Sequence, residues 1–391
     1  MYAHLLNKFK ENHPEWKAGL LKNTLLMVAL VLDRQTVCLW KLKGGVGKFL
    51  GNTQTDSRSH YQRIKRWFWS SLEQKYVWLI LLETSAGLLK KMTEIIIIDG
   101  TSWQWGGQTY HFLTLSVLYK GVAIPIWWIE LGRLGISNQK QRKTLFIGAL
   151  KVLKLLGKTL IGDREYIGNL WLKYLKDNGL SFVIRLRDKN YQEAINARGK
   201  SIEKKAKKRI GQAFSKHFEL NGESYFFVLT AYKDRSGKIE ILRLITTLSN
   251  ANKAVELYKL RYRIESLFKH LKSNGFDLEA LHLQSSRKVR LMRTLVILAY
   301  TLSIIYGLKS YKRKYPPLKH GAPAMSVFRG GIELGQNHLG SFVLFLEKAF
   351  EYFNRVFEKK KYSLILPYMG LITRHSLYFL KSGFKRRQKV W

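Results

Sequence analysis

Ile95–Thr101 reads IIIIDGT: four β-branched apolar residues in a row, then Asp99, Gly100 and Thr101. A continuous apolar run of this kind marks a strand buried on both faces. The strand is expected to end at Asp99-Gly100-Thr101, which puts a carboxylate at its tip. Outward from it, strands are expected at about 111–118 and 122–129, joined through Lys120-Gly121 as a tight hairpin. Ser137 is expected to cap a helix whose apolar positions run from Leu145 to Leu156. A short strand at 159–162 delivers Asp163, and a helix at about 166–177 and a strand at 182–186 follow. Three antiparallel strands, helix, strand, helix, strand is the order of an RNase H-like mixed sheet, so the fold class is α/β.

Residues 187–250 break this alternation. KSIEKKAKKRIGQAF is a dense basic run, and strands are expected at 218–229 and 238–247 around a turn at Asp234–Gly237. They form a β-rich basic insertion ahead of the last catalytic helix. That helix carries YKLRYRIESLFKHLK from Tyr258 to Lys272 and is stopped by Asn274-Gly275. At about 100° per residue, Tyr258, Arg261, Glu265 and Lys272 fall within an arc of roughly 60°. The opposite face carries Leu260, Ile264, Leu267 and Leu271. A carboxylate flanked by two cations and a phenol suits metal-assisted chemistry on a phosphate backbone; the bland alternative is a solvated face with i,i+4 charge pairs.

Asp99, Asp163 and Glu265 are the three acids this topology would bring together. Clustered carboxylates repel, which argues against a structural purpose. Three of them can hold two Mg²⁺ ions for in-line phosphoryl displacement, since magnesium takes oxygen ligands and keeps waters. The bland alternative for Asp99 and Asp163 is a turn or N-cap residue, the lesser reading even before they are paired with Glu265.

The flanks are helical: 1–90 as a DNA-binding region, 311–391 as a DNA-binding or dimerisation region, with 91–186 and 251–310 forming the core. A basic helix with Arg58, His60, Arg63, Lys65 and Arg66 follows apolar helical spacing at 20–32. That is the outline of a helix-turn-helix-like DNA reader, with Arg63 and Arg66 as DNA contacts; a basic solvated helix reads the same way. KGGVGK at Lys43–Lys48 is not a phosphate loop: Leu42 stands where its first Gly belongs and Phe49 where its hydroxyl residue belongs. A Gly-rich turn is expected there. Helical spacing also extends over 67–89, and basic patches mark Arg374–His375 and Lys385–Lys389. The apolar segment 340–353 is a dimer-interface or core helix.

The chain has 391 residues and a formal net charge of +41, with 46% apolar and 24% charged residues. This is globular rather than disordered composition. So high a charge opposes compaction unless the partner is a polyanion, and nucleic acid is the first candidate. The single cysteine, Cys38, excludes a disulfide framework and reads as buried and inert. The N-terminus lacks a signal-peptide apolar region, and the longest apolar runs, 25–32 and 295–308, read as too short or too interrupted to span a bilayer. No membrane partner is expected, and a soluble, cytoplasmic location is.

IIIIDGT around Asp99, IGDREYIG around Asp163 and the complete Y-x2-R-x3-E-x6-K spacing from Tyr258 to Lys272 resemble bacterial insertion-sequence transposases of the DDE class, in the group numbered four. The resemblance covers roughly residues 50–310, and LGRLGISNQKQR after the hairpin shares it. It implies cut-and-paste DNA transposition by a homodimer on double-stranded DNA, both terminal inverted repeats and target, in association with the bacterial nucleoid. Asp99, Asp163 and Glu265 would be the metal ligands for Mg²⁺, with Mn²⁺ as a substitute. Tyr258, Arg261 and Lys272 would bind phosphates near the cleaved end, Arg263 and Lys269 would add DNA contacts, and Arg164 and Glu165 would support Asp163. Such enzymes can stack a flipped base on a tryptophan of the insertion, but no Trp lies between Trp171 and Trp391. Phe218, Tyr225, Phe226 and Phe227 are stacking candidates that read first as strand core. Two other readings remain: a non-catalytic DNA-binding derivative, and another RNase H-like nuclease.

Overall fold

The structure is a computed structural model; it describes residues 18–52, 54–70, 94–105, 107–192, 202–220, 222–234, 236–314, 318–319, 324–338 and 344. Its centre is a mixed eight-stranded sheet in the order β3-β2-β1-β4-β5-β8-β7-β6. The strands are β1 (Ile95–Trp105), β2 (Gln108–Tyr119), β3 (Val122–Glu130), β4 (Thr159–Gly162), β5 (Ser181–Arg185), β6 (Ala213–Leu220), β7 (Glu223–Lys233) and β8 (Ile239–Thr246). β1, β2 and β3 pair antiparallel, β4 lies parallel to β1 and β5 parallel to β4, and β8, β7 and β6 continue antiparallel. Ile96–Ile98, Leu160, Ile161 and Phe182–Ile184 are essentially inaccessible to solvent, as continuous apolar runs require. The β2–β3 hairpin turns on Lys120 and Gly121, both at positive φ (46° and 78°); this is the backbone that a two-residue turn between twisted strands needs.

The helices are α1 (Ala18–Arg34), α2 (Leu39–Leu50), α3 (Ser57–Trp69), α4 (Gln139–Val152), α5 (Asn169–Asp177), α6 (Glu203–Lys208), α7 (Ala251–Lys259), α8 (Tyr262–Leu271), α9 (Ser286–Lys314) and α10 (Val327–His338). α1, α2 and α3 form an N-terminal layer, α1 packing on α9 and α10. α7 lies against β4, β5, β6, β7 and β8, whereas α8 lies against β1, β3 and α9. The two short helices therefore rest on opposite halves of the sheet.

Several expectations from the sequence change. β1 does not end at Asp99-Gly100-Thr101 but runs on to Trp105, because Thr101 to Trp105 pair with Phe112 to Gln108 of a longer β2. Asn138, not Ser137, caps α4, in a reciprocal capping box with Gln141. The helix expected from 166 starts at Asn169. The Gly-rich turn at 43–48 is instead the middle of α2. Its glycines allow close approach, since a Cβ on Gly45 would lie 2.7 Å from Leu30 Cδ2 and one on Gly47 2.9 Å from the Asn52 carbonyl oxygen. The segment 218–229 is not one strand; it is divided between β6 and β7, which pair antiparallel with Leu220 opposite Glu223. Together with β8, these strands continue the central sheet through the β5–β8 pairing.

The single helix expected over Tyr258–Lys272 is two. Leu260, Arg261, Arg263 and Ile264 donate to carbonyls three residues back; this 3₁₀-type tightening shifts the phase between α7 and α8. Lys272 caps α8 rather than riding on it. Cys38 is half-buried at the start of α2, not buried. The stretch Ser286–Leu308 is long and apolar enough to cross a membrane, contrary to the reading of 295–308 as too short, and most of it is buried inside the protein. The helical reading at 71–89, the 340–353 helix (apart from residue 344) and the C-terminal basic patches lie outside the described residues.

Candidate active site

Parallel pairing of β1 with β4 sets the site. The register aligns Ile97 with Ile161, and two positions on along each strand stand Asp99 and Asp163. The two carboxylates thus project from neighbouring strands, with β4 ending at Gly162. A Cβ on Gly162 would crowd the Tyr166 ring at 3.1 Å and Ile98 at 3.2 Å, and one on Gly100 would meet His111 Nε2 at 3.0 Å. Both glycines make room for the residues packed around the acids.

Asp99 accepts from the Gly100 amide at 2.8 Å and from Arg261 Nη1 at 3.2 Å. Its side chain is 18% exposed. Burial pushes its carboxyl from the ordinary 3.8 up to about 7; the Gly100 amide and Arg261 oppose this, while Glu165 and Asp163 add to it. The second Arg261 nitrogen, Nη2, donates to Glu265. Arg261 is therefore a bridge between the β1 acid and the α8 acid. Burial works against its charge, yet Tyr258, Asp99, Asp163 and Glu265 hold it above its ordinary value. Tyr258, buried on α7, donates to Asp163 Oδ1 at 3.2 Å, and its phenol is pushed up to about 12, first by burial and then by Asp163. Lys272 Nζ donates to the Ser102 carbonyl of β1 at 2.9 Å and pairs with Glu279 at 3.0 Å. All four residues of the Tyr–Arg–Glu–Lys spacing thus converge on the β1–β4 edge, three through their side chains and Glu265 through Arg261.

The remaining expected contacts separate into two groups. Glu165 is half-buried beside the acids, and Arg164 is exposed. Arg263 lies over the Tyr262 ring at 4.7 Å, and Lys269, Arg63 and Arg66 are exposed. Arg63 and Arg66 line a cavity of about 260 Å³ with Asn23, Met27 and Val46. None of these four faces the three acids by any hydrogen bond of the described residues. Phe218, Tyr225 and Phe227 are buried strand core, as their first reading had it.

Two residues near the acids escaped sequence reasoning. Tyr166 is fully buried, with its hydroxyl 3.9 Å from where a Gly100 Cβ would stand, and burial followed by Asp99 and Glu165 raises it well above its ordinary value. Arg142 is buried and donates to the carbonyls of Ser137, Ile167 and Glu165, which fixes the loop after Asp163. IGDREYIG holds the first and the QKQR stretch the second, but neither spacing marks them.

Asp99 and Asp163 are hard oxygen donors, and a desolvated carboxylate gains from a nearby cation. The donor chemistry fits a divalent ion. As the chain stands, no group of three or more His, Cys, Asp or Glu converges to hold one among the described residues. Arg261 occupies the position of positive charge between Asp99 and Glu265 instead.

The family model described as "Transposase DDE domain" matches residues 90–302, more than half of the chain. No curated protein matches the chain. Among solved structures, the cryo-EM structure of a piggyBac transposase synaptic complex with hairpin DNA is similar at 13% identity and a TM-score of 0.31. That similarity covers 62% of this chain and 57% of the other.

Proposed function

The chain belongs to the transposase DDE-domain family, and on that premise we propose that it is a DNA transposase, one that cleaves the ends of its element and transfers them into target DNA in cut-and-paste fashion. We place it among the bacterial insertion-sequence enzymes of group four, with an RNase H-like core. The antiparallel β3-β2-β1 edge followed by parallel β4 and β5 supports that core. The observation that carries the reading is the return of Tyr258, Arg261 and Lys272 to the β1–β4 edge beside Asp99 and Asp163.

Asp99, Asp163 and Glu265 would hold Mg²⁺, or Mn²⁺ in its place. When bound, such ions activate a water or 3′-hydroxyl and stabilise the leaving oxygen of an in-line displacement. The other residues position the DNA. Arg261, released from Asp99 and Glu265, offers a planar fork to a phosphate. Lys272 supplies a point charge further along β1, at Ser102, and the Tyr258 hydroxyl donates beside Asp163. Arg263 and Lys269 on α8 extend the basic surface, and Arg63 and Arg66 on α3 contact the duplex. Glu165, with Arg164 next to it, supports the loop that carries Asp163. Two element ends must be brought together, so a homodimer on double-stranded DNA is the working form, acting on the bacterial nucleoid in the cytoplasm.

The test is strand cleavage of a fragment bearing the element's own ends, with Mg²⁺ and with EDTA, beside Glu265→Gln. Metal-dependent release of a defined 3′-hydroxyl by the wild type alone is expected. Binding without cleavage in any metal would move the reading to a non-catalytic DNA-binding protein, and cleavage confined to RNA–DNA hybrids would move it to another nuclease.

A further inference from the structure

Where the N-terminal layer meets the catalytic sheet, exposed aromatic rings alternate with lysines. Tyr61, Lys65 and Trp69 stand at i, i+4 and i+8 on α3, one stripe of that helix. Arg63 and Arg66 lie off this stripe, exposed at the rim of the other cavity, which α1, α2 and α3 line. Trp40, at the start of α2, meets Tyr61 edge-on at 5.4 Å. Trp40 and Trp69 are 57% and 60% exposed, an unusual position for the largest apolar side chain. With Val37, Cys38, Leu39, Phe68, His282, Leu283 and Lys288 these residues enclose a cavity of about 250 Å³.

Cations sit on these rings. Lys43 Nζ is 2.9 Å from the Trp40 ring centre, Lys288 is 4.9 Å from that of Trp69, and Lys65 is 5.6 Å and 5.7 Å from those of Tyr61 and Trp69. At the far wall the His282 ring lies tilted against Trp105, with ring centres 4.6 Å apart. Trp105 ends β1, the strand that carries Asp99, so the His282 wall of the groove rests against the end of that strand.

We propose that this groove binds an unpaired stretch of DNA, with bases stacked on Trp40, Tyr61 and Trp69 and phosphates held by Lys43, Lys65 and Lys288. Flat rings interleaved with cations are what single strands need, because every base has a stacking face and every nucleotide a charge. A lysine resting on an exposed ring contributes less than a stacked base, so a base displaces the lysine from the ring and leaves it beside the phosphate. The cavity is smaller than the roughly 300–1,000 Å³ of drug-sized pockets, which suits single rings taken in turn rather than one large cofactor. The chain's charge of +41 supplies the complementary field. This binding is separate from strand cleavage and needs neither the acids nor a metal.

The experiment is fluorescence anisotropy of the full chain, in EDTA, with labelled oligothymidylate and with an abasic oligomer of equal length and charge. The wild type is expected to bind the thymidylate about tenfold more tightly, the scale of base–aromatic stacking. Trp40→Ala combined with Trp69→Ala should bring the two affinities together, whereas Lys65→Gln should weaken both alike. Trp69→Leu keeps bulk but removes the stacking face, so it serves if the double variant melts early. Equal wild-type affinity for both oligomers overturns the proposal, and so does a base preference that survives in the folded Trp variants. The wild-type comparison needs no cleavage, so a failed cleavage assay leaves this result readable.

Discussion

Asp99→Asn should make the protein more stable at neutral and alkaline pH while removing its chemistry. In the folded chain the Asp99 carboxyl keeps its proton to about pH 7, against an ordinary 3.8. An acid whose folded value is raised costs stability as pH climbs. Below about 4 both states are protonated and nothing is lost; through the interval up to about 7 the unfolded chain ionises first, and stability falls. At about 1.4 kcal/mol for each pH unit between 3.8 and about 7, the upper bound is about 4 kcal/mol. Residual exposure and relaxation bring the expected gain to about 1–3 kcal/mol, because the Asp99 side chain is still 18% exposed. Asn keeps an acceptor for the Gly100 amide and leaves Arg261 its second partner, Glu265. Urea unfolding of both proteins in EDTA, at about pH 4 and about pH 8, gives the difference directly. Other titrating groups cancel in it, including His270, which burial and then Arg329 and Lys269 lower to about 4. A variant no more stable than the wild type at pH 8, or equally favoured at both pH values, would refute the reasoning. Added Mg²⁺ should shrink or reverse the gap, because a cation beside Asp99 stabilises the charged form only in the wild type.

Arg261→Gln removes the cation that joins Asp99 to Glu265; burial and the neighbouring acids should then keep Asp99 protonated to a higher pH, which NMR titration of its carboxyl would show as an upward move. Gly331→Ala should destabilise the chain by about 1–3 kcal/mol, because its Cβ would overlap the Ser303 carbonyl where α10 crosses α9, whereas Gly335→Ala, 3.6 Å from Tyr306, should be tolerated; thermal melting compares the two. Arg293 is fully buried, held well below its ordinary value by burial, and bonds Thr114 Oγ1 at 2.7 Å. Arg293→Met should be neutral or stabilising in urea unfolding, and Arg293→Ala should cost about 2–5 kcal/mol through the cavity it leaves. Duplex affinity should fall by about 10³–10⁵ between low and moderate salt, and Arg63→Gln should reduce the slope by about one; a flat salt response would sink the DNA-binding reading.

The strands and the acids were legible because their signals are local. A run such as IIIIDGT can be little but a buried strand, and the two strand-borne aspartates follow from it. The Tyr–Arg–Glu–Lys spacing marks residues that meet around Asp99 and Asp163, but not on one helix face, since a uniform helical period cannot see the tightening at Leu260–Arg261. Lys272 reaches β1 from a cap, not from a helix face. Three glycines in isolation argue for a turn at α2; the close approach of Leu30 from α1, which Gly45 accommodates within a helix, is tertiary. β1 was cut short at Gly100 for the same reason, as its continuation depends on a partner strand. Tyr166 and Arg142 act through burial, which has no spacing.

The break between α7 and α8 divides a single motif between two supports. α7 is phased by the β4–β8 half of the sheet and α8 by the β1–β3 half and α9. A residue inserted within α7 would rotate Tyr258 by about 100° and leave Arg261 and Glu265 in register. The Tyr-to-Arg distance along the chain is therefore set by one surface and the Arg-to-Glu distance by another. Arg261, the residue that opens α8, is the point where the two supports meet.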